Sequence, residues 1–349
     1  MIKIGLRTSF TLAIGAALTI AIGVGFAAPA KAGATFDKVK QAGTLVCGVN
    51  TGLAGFGQPD NQGHYTGLDV DVCRAMAAAL FGDASKVKYV PLTAQQRFTA
   101  LQSGEVDVLS RNTTWTLQRD TELGLNFGPV VYYDGQGFMV PKKLGVKSAK
   151  ELNGATICVQ PGTTTELNLA DYFRANKMTF KPLVIEKLDE VVAAYFSGRC
   201  DVFTTDRSGL AATRIARAPN PEDQIILPEV ISKEPLAPAV RQGDDQWNDL
   251  VRWVVYALFE AEEKGITSKN ADEMLKSEDP GMKRMLGVTP GMGKALGVDE
   301  KWAYNAIKAV GNYGEIFDRN VGKDSPLKLD RGINALWTHG GLMYAMPIR

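Results

Sequence analysis

Short apolar runs alternate with amphipathic stretches along most of the chain, and this alternation predicts strands that are followed by helices. "TLVCGV" (44–49) and "ATICVQ" (155–160) each indicate a short buried strand that contains a cysteine. "ALQSGEVDVLS" (100–110) and "AYFSGRCDVFT" (194–204) each indicate a helix end, a Ser-Gly stop and a further strand. A strand–helix–strand order predicts parallel sheets with helices on their faces, so we expect an α/β fold with two similar lobes. Chance similarity between short apolar strands is the alternative.

Two extended stretches predict connections between these lobes. "GPVVYYDGQGFMVP" (128–141) is rich in valine and tyrosine, and "SKEPLAPAVRQGD" (232–244) has two prolines before an alternating segment. "QWNDLVRWVVYALFEAEEKG" (246–265) has helical periodicity, ends at a Lys-Gly stop and fits a return to the first lobe. The predicted domains are a first lobe in two pieces and an intervening second lobe: 33–137 with 240–349, and 138–239.

The first 32 residues have the order of a secretory signal peptide. Lys3 and Arg7 precede an uncharged, mostly apolar stretch, Thr8–Phe26, and two Ala-x-Ala sites follow it. We expect export with cleavage near residues 30–32; an N-terminal membrane anchor is the alternative. Cleavage also removes Lys31 and lowers the formal net charge from +1 to −2. A charge this small gives no indication of a nucleic-acid partner.

All four cysteines follow the predicted cleavage site. An even number of cysteines in an exported chain favours two disulfides. Cys47 and Cys73 fall in the first lobe, and Cys158 and Cys200 fall in the second. Of the three possible pairings we favour Cys47–Cys73 and Cys158–Cys200. The chain has no Cys-x-x-Cys pair and only two histidines, far apart in sequence, so we expect neither a metal nor a Ser-His-Asp triad, and no cofactor.

Residues 110–120, "SRNTTWTLQRD", follow a predicted strand and place Arg119 in the first turn of a helix. A cation there opposes the helix dipole. A ligand carboxylate would offset this cost, because it could pair with the guanidinium and accept hydrogen bonds from the free N–H groups. The alternative is a surface ion pair of Arg119 with Asp120 or Glu122.

Two later segments also end predicted strands, at the edge where open α/β sheets bind ligands. In "QPGTTTEL" (160–167), Thr163 and Glu166 fit a capping box at a helix start. In "DVFTTDRSG" (201–209), Asp206 lies just past a strand end, where it could receive an ammonium group or cap the next helix. A cation on one lobe and an anion on the other would complement an α-amino acid between them.

These motifs resemble those of the periplasmic solute-binding proteins of polar amino-acid ABC transporters, family 3. "GLDVDVCRAMAAAL" (67–80) fits a family signature, and "DVLSRNTTWTLQR" (107–119) matches its ligand-carboxylate segment. "PGTTTE" and "FTTD" follow in the family's order, and the resemblance covers about residues 36–265. Within the family, the chain is most similar to the general L-amino-acid and the glutamate/aspartate/glutamine-type binding proteins.

The resemblance implies the type II periplasmic binding protein fold, with two crossings between the lobes and the ligand in the interlobe cleft. It implies a monomeric protein that is not an enzyme, captures polar, acidic or a broad range of L-amino acids, and delivers them to a membrane permease. The rival function is that of a periplasmic dehydratase of the same fold, acting on a prephenate-like acid. Glu166 and Glu186 are the candidates for its general acid.

The resemblance also implies a role for each matching residue. Arg119 would bind the α-carboxylate, with hydrogen bonds from Thr114 and from the backbone of Asn112 and Thr164. Asp206 would take the α-ammonium group, helped by Thr114. The full predicted ligand-binding set is Leu53, Phe56, Asn112, Thr114, Arg119, Thr163, Thr164 and Asp206.

Three residues of this region bear on specificity. Phe56 would line the pocket, whereas Leu53 stands where many relatives place an aromatic platform, which disfavours a basic or aromatic ligand. Arg111 is an additional cation: facing inward it would favour acidic or amide side chains, and facing outward it would be solvated. Residues 266–349 extend past the usual family end, and we expect a helical extension on the first lobe, with a docking or oligomer surface as the alternative.

Overall fold

The structure is a computed structural model that describes Met1 and residues 33–349. Except for Met1, the predicted signal peptide lies outside the described residues. Fourteen strands occur in the described part: β1 (Leu45–Asn50), β2 (Gln58–Pro59), β3 (Tyr65–Thr66), β4 (Val87–Leu92), β5 (Val108–Leu109), β6 (Leu125–Phe127), β7 (Tyr132–Asp134), β8 (Gln136–Pro141), β9 (Thr156–Val159), β10 (Lys181–Val184), β11 (Val202–Asp206), β12 (Gln224–Ile226), β13 (Glu234–Leu236) and β14 (Ala239–Arg241).

Thirteen α-helices connect and cover these strands within residues 33–349. They are α1 (Ala34–Ala42), α2 (Leu68–Phe81), α3 (Gln96–Ser103), α4 (Leu117–Thr121), α5 (Thr164–Ala175), α6 (Leu188–Phe196), α7 (Arg207–Arg217), α8 (Asp245–Glu263), α9 (Ala271–Met274), α10 (Pro280–Met285), α11 (Met292–Leu296), α12 (Trp302–Val310) and α13 (Tyr313–Asn320). No helix in this part of the chain is both long enough and apolar enough to span a membrane.

Two five-stranded mixed sheets form the two lobes. The first has the order β4-β1-β5-β14-β6, with β1 parallel to its neighbours β4 and β5 and β14 antiparallel to β5 and β6. The second has the order β10-β9-β11-β8-β12, with β9 parallel to β10 and β11 and β8 antiparallel to β11 and β12. This repeated topology confirms the predicted α/β two-lobe fold. The second sheet begins with Gln136, two residues before the predicted start of the second lobe.

The two crossings between the sheets pair with each other. β7 precedes the second sheet and β13 precedes the return to the first, and the two strands are antiparallel, with Glu234 opposite Asp134. Leu236 of β13 also forms an isolated bridge with Thr114, in the segment that follows β5. The crossings therefore lie directly beside the strand ends from which the candidate ligand-binding residues come.

Helix α2 ties the first sheet to the candidate site. It begins after Gly67, whose φ of +137° and close contact with the Phe56 carbonyl exclude a side chain at that position. Its Asp69 carboxylate accepts the N–H of Asn112 at 2.7 Å. Its Asp71 carboxylate is bound by Arg319 and Asn320, with donor–acceptor distances of 2.7 Å. Helix α2 thus links the strand end at residue 112 to the end of α13.

Each lobe contains one disulfide. Cys47 of β1 is bonded to Cys73 of α2, and Cys158 of β9 is bonded to Cys200, which lies just before β11. The favoured pairing is confirmed. Neither bridge joins the two lobes, so both leave the crossings unconstrained.

Residues 266–349 pack against the first lobe. Helix α12 lies on α2 and α8, and α13 lies on α8. The Tyr313 hydroxyl donates to the Val131 carbonyl at 2.6 Å, and the Asn334 side chain exchanges two hydrogen bonds with the Tyr133 backbone. Phe317 stacks on Tyr132 with parallel rings. The extension therefore fixes the β7 crossing as well as covering α2.

Candidate functional site

A cavity lies between the two lobes at the ends of the strands, and residues from both lobes line it. Six of the eight predicted ligand-binding residues lie on its wall: Leu53, Asn112, Thr114, Thr163, Thr164 and Asp206. Arg119 and Phe56 do not. Three further charged residues belong to this region: Arg97 and Arg111 line the cavity, and Glu234 is buried beside it. Arg97 and Glu234 were not predicted from the sequence, and two orientations were open for Arg111.

The first lobe supplies two buried guanidinium groups to the cavity wall. Arg111 is 4% exposed, its Nε donates to the Leu92 carbonyl at 3.0 Å, and burial lowers its pKa to about 10. Arg97 is 3% exposed and has a buried Nε without a hydrogen-bond partner in the described chain. Its Nη2 reaches the Gly162 carbonyl of the second lobe at 3.4 Å, and burial lowers its pKa well below the usual value. Arg111 therefore faces inward, and the outward alternative is wrong.

Arg119 lies beside the cavity wall. It is the third residue of α4, which is capped by Thr116, whose hydroxyl accepts the Arg119 backbone N–H at 3.2 Å. Its Nη1 donates to the Thr114 carbonyl at 2.8 Å, and its guanidinium carbon lies 4.9 Å from the Phe98 ring centroid. Burial lowers its pKa to about 10, while Glu234 and Asp206 act in the opposite direction.

The surface ion pair proposed as the alternative for Arg119 does not form. Asp120 accepts a hydrogen bond from the indole of Trp115 at 3.2 Å, and Glu122 accepts one from Gln118 at 2.9 Å. Within the described residues, the Arg119 side chain donates only the bond to Thr114. Its other N–H groups are therefore available to an anion.

Asp206 presents a carboxylate from the second lobe. It is the last residue of β11 and is 7% exposed, and no group in residues 33–349 donates a hydrogen bond to its side chain. It does not cap α7, because the Ser208 N–H at the start of that helix points to Asp134 at 3.3 Å. Burial raises the pKa of Asp206 well above its usual range, and Asp134 and Glu234 add to this rise. A bound cation would favour the ionised carboxylate.

The start of α5 supplies backbone donors. The Thr163 hydroxyl accepts the Glu166 N–H at 3.1 Å and donates to the Gln160 carbonyl at 2.8 Å, so Thr163 caps the helix. The Glu166 side chain accepts the Gly162 N–H and so does not complete the predicted capping box. The N–H groups of Thr164 and Thr165 have no partner within the helix, and both residues line the cavity. A helix start of this kind favours an anion.

Two of the predicted residue roles require correction. The Asn112 N–H is occupied by the Asp69 carboxylate and cannot donate to a ligand. Phe56 is 1% exposed and packs edge-on against Tyr132, with ring centroids 5.3 Å apart. The loop that carries Phe56 folds back through a bridge between Leu53 and Gly57, which turns Phe56 into the core and leaves Leu53 on the cavity wall.

Two functional candidates were missed for different reasons. Arg97 lies in the first turn of α3, which follows the end of β4, and this is the same dipole-opposing position that drew attention to Arg119. The position of Arg97 in the sequence could therefore have identified it as a candidate binding residue. Glu234 lies in a proline-containing crossing that has the composition of an exposed loop, yet it is 1% exposed.

No group of three or more His, Cys, Asp or Glu side chains in the described part of the chain is arranged to hold a metal ion. The cavity wall carries charges of both signs. Guanidinium groups and backbone N–H groups lie on part of the wall, and an unpaired carboxylate lies on another.

Comparisons with known proteins identify the family of this chain. The family model for bacterial extracellular solute-binding proteins, family 3, matches residues 45–277. The general L-amino acid-binding periplasmic protein AapJ of Rhizobium johnstonii is 61% identical over 339 residues, which are 97% of this chain and 98% of that protein. The glutamate/glutamine/aspartate/asparagine-binding protein BztA of Rhodobacter capsulatus is 58% identical over 323 residues, 92% of this chain and 95% of that protein.

A solved structure shows the same fold over nearly its whole length. It is an ABC transporter periplasmic binding protein from Brucella ovis with glutathione bound, and it is 59% identical to this chain. Its TM-score is 0.88, over 90% of this chain and 99% of that chain. Neither the family match nor these relatives support the dehydratase alternative. The chain belongs to family 3 of the bacterial extracellular solute-binding proteins, which bind solutes and are not enzymes.

Proposed function

We propose that this protein binds L-amino acids with acidic or amide side chains in the periplasm and delivers them to the permease of an ABC transporter. The observation that carries this proposal is the buried Asp206 carboxylate, unpaired within the described residues, in one cavity with the buried guanidinium groups of Arg97 and Arg111. The printed function of BztA supports acidic and amide ligands, and that of AapJ supports L-amino acids in general.

The α-amino acid group has a site for each of its charges. Asp206 receives the α-ammonium group, because it is the buried carboxylate on the cavity wall without a donor in residues 33–349. The α-carboxylate binds the N–H groups of Thr164 and Thr165, and Arg119, which lies beside the wall, adds its positive charge. Charge-assisted hydrogen bonds of this kind are roughly twice as strong as neutral ones.

The ligand side chain extends toward Arg97 and Arg111. The unpaired Nε of Arg97 provides a buried donor for a carboxylate or amide oxygen. Arg97 and Arg111 repel each other: burial lowers the pKa of Arg97, and the charges of Arg119 and Arg111 lower it further. An acidic side chain relieves this repulsion, whereas a lysine or arginine side chain increases it.

Contacts across the cavity support binding coupled to closure. Thr93 of the first lobe donates to Glu186 of the second at 2.7 Å, and Arg217 of the second lobe donates to the Gly52 carbonyl of the first at 3.2 Å. A ligand that touches both lobes favours this closed arrangement over an open one. We propose that the permease distinguishes the loaded protein by its closed form.

Export of the protein follows from the same proposal. Residues 1–32 act as a signal peptide with cleavage near residues 30–32, and the exported protein works as a monomer. Mass spectrometry of the periplasmic protein tests the cleavage site, and an N-terminus before residue 28 contradicts it.

Calorimetric titration tests the ligand class. We expect L-glutamate, L-glutamine, L-aspartate and L-asparagine to bind more tightly than L-leucine or L-lysine. Glutathione belongs in the same series, because its γ-glutamyl end has the same ammonium and carboxylate groups and the Brucella relative has it bound. Glutarate, which is glutamate without its amino group, should bind far more weakly. Equal affinities for glutarate and glutamate would remove the role of Asp206.

Substitutions of Arg97 and Arg111 distinguish the site that binds the ligand side chain from the site that binds its α-ammonium and α-carboxylate groups. Arg97→Met and Arg111→Met should weaken L-glutamate by roughly 10- to 100-fold, because each loses a charged hydrogen bond worth about 1.5–3 kcal/mol. L-Leucine affinity should fall by less. Arg174→Met on the exposed side of α5 is the matched control. Equal losses for glutamate and leucine would mean that the two arginines support the fold and do not select the ligand.

A further inference from the structure

Glu234 is a buried carboxylate at the junction of the two lobes and the β13 crossing. Four side chains approach its two oxygens. Oε2 is 2.5 Å from the Thr114 hydroxyl and 2.8 Å from the Thr164 hydroxyl. Oε1 is 2.6 Å from the Ser232 hydroxyl and 2.8 Å from the Asn168 amide nitrogen. An ionised carboxylate accepts hydrogen bonds and donates none, so all four groups are donors.

This arrangement fixes the direction in which two cavity hydroxyls act. Thr114 and Thr164 both line the cavity, and each hydroxyl has a single proton, which it gives to Glu234. Only oxygen lone pairs of these two hydroxyls remain for a ligand. Lone pairs attract an ammonium group and repel a carboxylate.

We propose that Glu234 is a positioning residue that makes Thr114 and Thr164 hydrogen-bond acceptors toward the ligand and so reserves this wall for the α-ammonium group. The inference rests on the proposed function, because it assigns one end of the same amino acid. It revises the expected role of Thr114: the hydroxyl helps Asp206 with the ammonium group and gives nothing to the α-carboxylate. The carboxylate is left to the N–H groups of α5 and to Arg119.

The arrangement of hydrogen bonds around Glu234 depends on closure of the lobes. Thr114 belongs to the first lobe, whereas Thr164 and Asn168 belong to the second, and Glu234 lies on the crossing between them. The two hydroxyls share Oε2 only when the lobes are closed. The hydroxyls of Thr114 and Thr164 are therefore brought together by the same movement that encloses the ligand.

A purely structural role for Glu234 predicts something different. Four donors converge on the carboxylate, so its loss could loosen the closed form and weaken all ligands alike. A purely electrostatic role, in which the negative charge attracts the ammonium group from a distance, would not depend on the threonine hydroxyls. The test must distinguish both from orientation of the hydroxyls.

The first arm is a double-mutant cycle on L-glutamate affinity, measured by calorimetry. The proteins are the parent, Glu234→Gln, Thr114→Val/Thr164→Val, and the three changes combined. We expect Glu234→Gln to weaken binding roughly 10- to 100-fold in the parent, the range for one charged hydrogen bond, and less than about twofold in the valine background. An equal loss in both backgrounds overturns the proposal, because the effect then does not pass through the hydroxyls.

The second arm uses glutarate as a competitor and does not require the triple variant to fold. In Glu234→Gln, the new amide can donate to a threonine hydroxyl and turn its proton toward the cavity. We expect the ratio of glutarate to glutamate affinity to rise at least tenfold. Thr114→Ser, which keeps the hydroxyl, should leave the ratio unchanged. A ratio within twofold of the parent in Glu234→Gln overturns the proposal.

Glu229→Gln is the matched control, because Glu229 precedes the same crossing, is half-buried and accepts a hydrogen bond from Ser148, yet does not line the cavity. Glu229→Gln should change neither the L-glutamate affinity nor the glutarate affinity by more than about twofold. Thermal unfolding verifies that each variant is folded. If the parent itself binds no L-amino acid, the proposed function fails; if the parent binds and Glu234→Gln binds equally well, this inference alone fails.

Discussion

Replacement of Asp206 by asparagine is the sharpest test of how the cavity holds a zwitterion. The change keeps the size and shape of the side chain and removes its charge. Asp206 is 7% exposed, and no described residue donates to it. In the variant, the ligand ammonium group would be buried without an anion on the cavity wall to pair with it.

The magnitude follows from burial. Removing one partner from a buried charge pair costs about 3–5 kcal/mol, because the remaining charge stays desolvated. This corresponds to a Kd that is roughly 100- to 5,000-fold higher. An exposed pair would lose at most about 1 kcal/mol, which is less than tenfold. Asp171→Asn, which changes an exposed carboxylate on α5 that pairs with Arg174 and does not line the cavity, is the control and should leave the Kd unchanged.

The loss should depend on pH. The pKa of Asp206 is raised by burial first and then by Asp134 on β7 and Glu234 on β13, while Arg97 on α3 and Arg119 on α4 lower it. The free protein therefore holds a proton on Asp206 at pH values where an ordinary aspartate is ionised. A bound ammonium group lowers that pKa, so binding releases the proton and affinity increases with pH by up to tenfold per unit. Asp206→Asn removes this contribution to the pH dependence of binding.

Calorimetry at pH 6 and pH 8, in buffers of different ionisation enthalpy, measures both Kd and the number of protons released. We expect the parent to release protons on binding L-glutamate and Asp206→Asn to release fewer. The gap in affinity between the two proteins should be wider at pH 8. A variant that binds within tenfold of the parent at both pH values would refute the assignment of the ammonium group to Asp206.

The remaining predictions concern stability, measured by urea unfolding. Replacing both Cys158 and Cys200 by alanine opens a loop with a sequence separation of 42 and should lower the free energy of unfolding by about 4 kcal/mol; a change below 1 kcal/mol contradicts the chain-entropy argument. Burial raises the pKa of Asp69 in the folded protein to about 7, above its value in the unfolded chain. Its contribution to stability is therefore fully present below about pH 4 and is lost as the pH rises through 7. Asp69→Asn should therefore flatten a decline of about 4 kcal/mol between pH 4 and pH 8, and an unchanged slope would assign that decline to other groups. Asn334→Ala leaves the N–H and carbonyl of Tyr133 without their partner and should cost about 1–3 kcal/mol, whereas no cost would mean that water replaces both bonds.

Much of the fold could be predicted from the sequence because its signals are local. The apolar runs at 44–49 and 155–160 became β1 and β9, each with its cysteine in a disulfide. The Ser-Gly stops at 103–104 and 197–198 mark real helix ends, with both glycines in the left-handed region. The start of the second sheet could not be located to the residue, because the sequence from 132 to 141 is uniformly extended and a single residue separates β7 from β8.

The candidate site was predictable where a residue's chemistry conflicts with its local position, and only there. Arg119 stood out because a cation in a first helical turn is unfavourable, and Asp206 because a carboxylate ends a buried strand. The Asn112 backbone could not be assigned correctly, because its partner Asp69 is 43 residues distant in sequence. Glu234 could not be found at all, since three of its donors, Thr114, Asn168 and Thr164, are distant in sequence and meet it only in the folded protein.

The extension that fixes β7 also determines how the protein can be produced. Residues 278–349 lie beyond the family match, and removing them is an obvious way to design a minimal domain. Yet α2 has twelve of its fourteen residues buried, and α12 covers it. A trimmed chain would expose an alanine-rich helix face and leave the Asp71 carboxylate without Arg319 and Asn320. Such a fragment should aggregate on expression, so recombinant work requires the intact C-terminus.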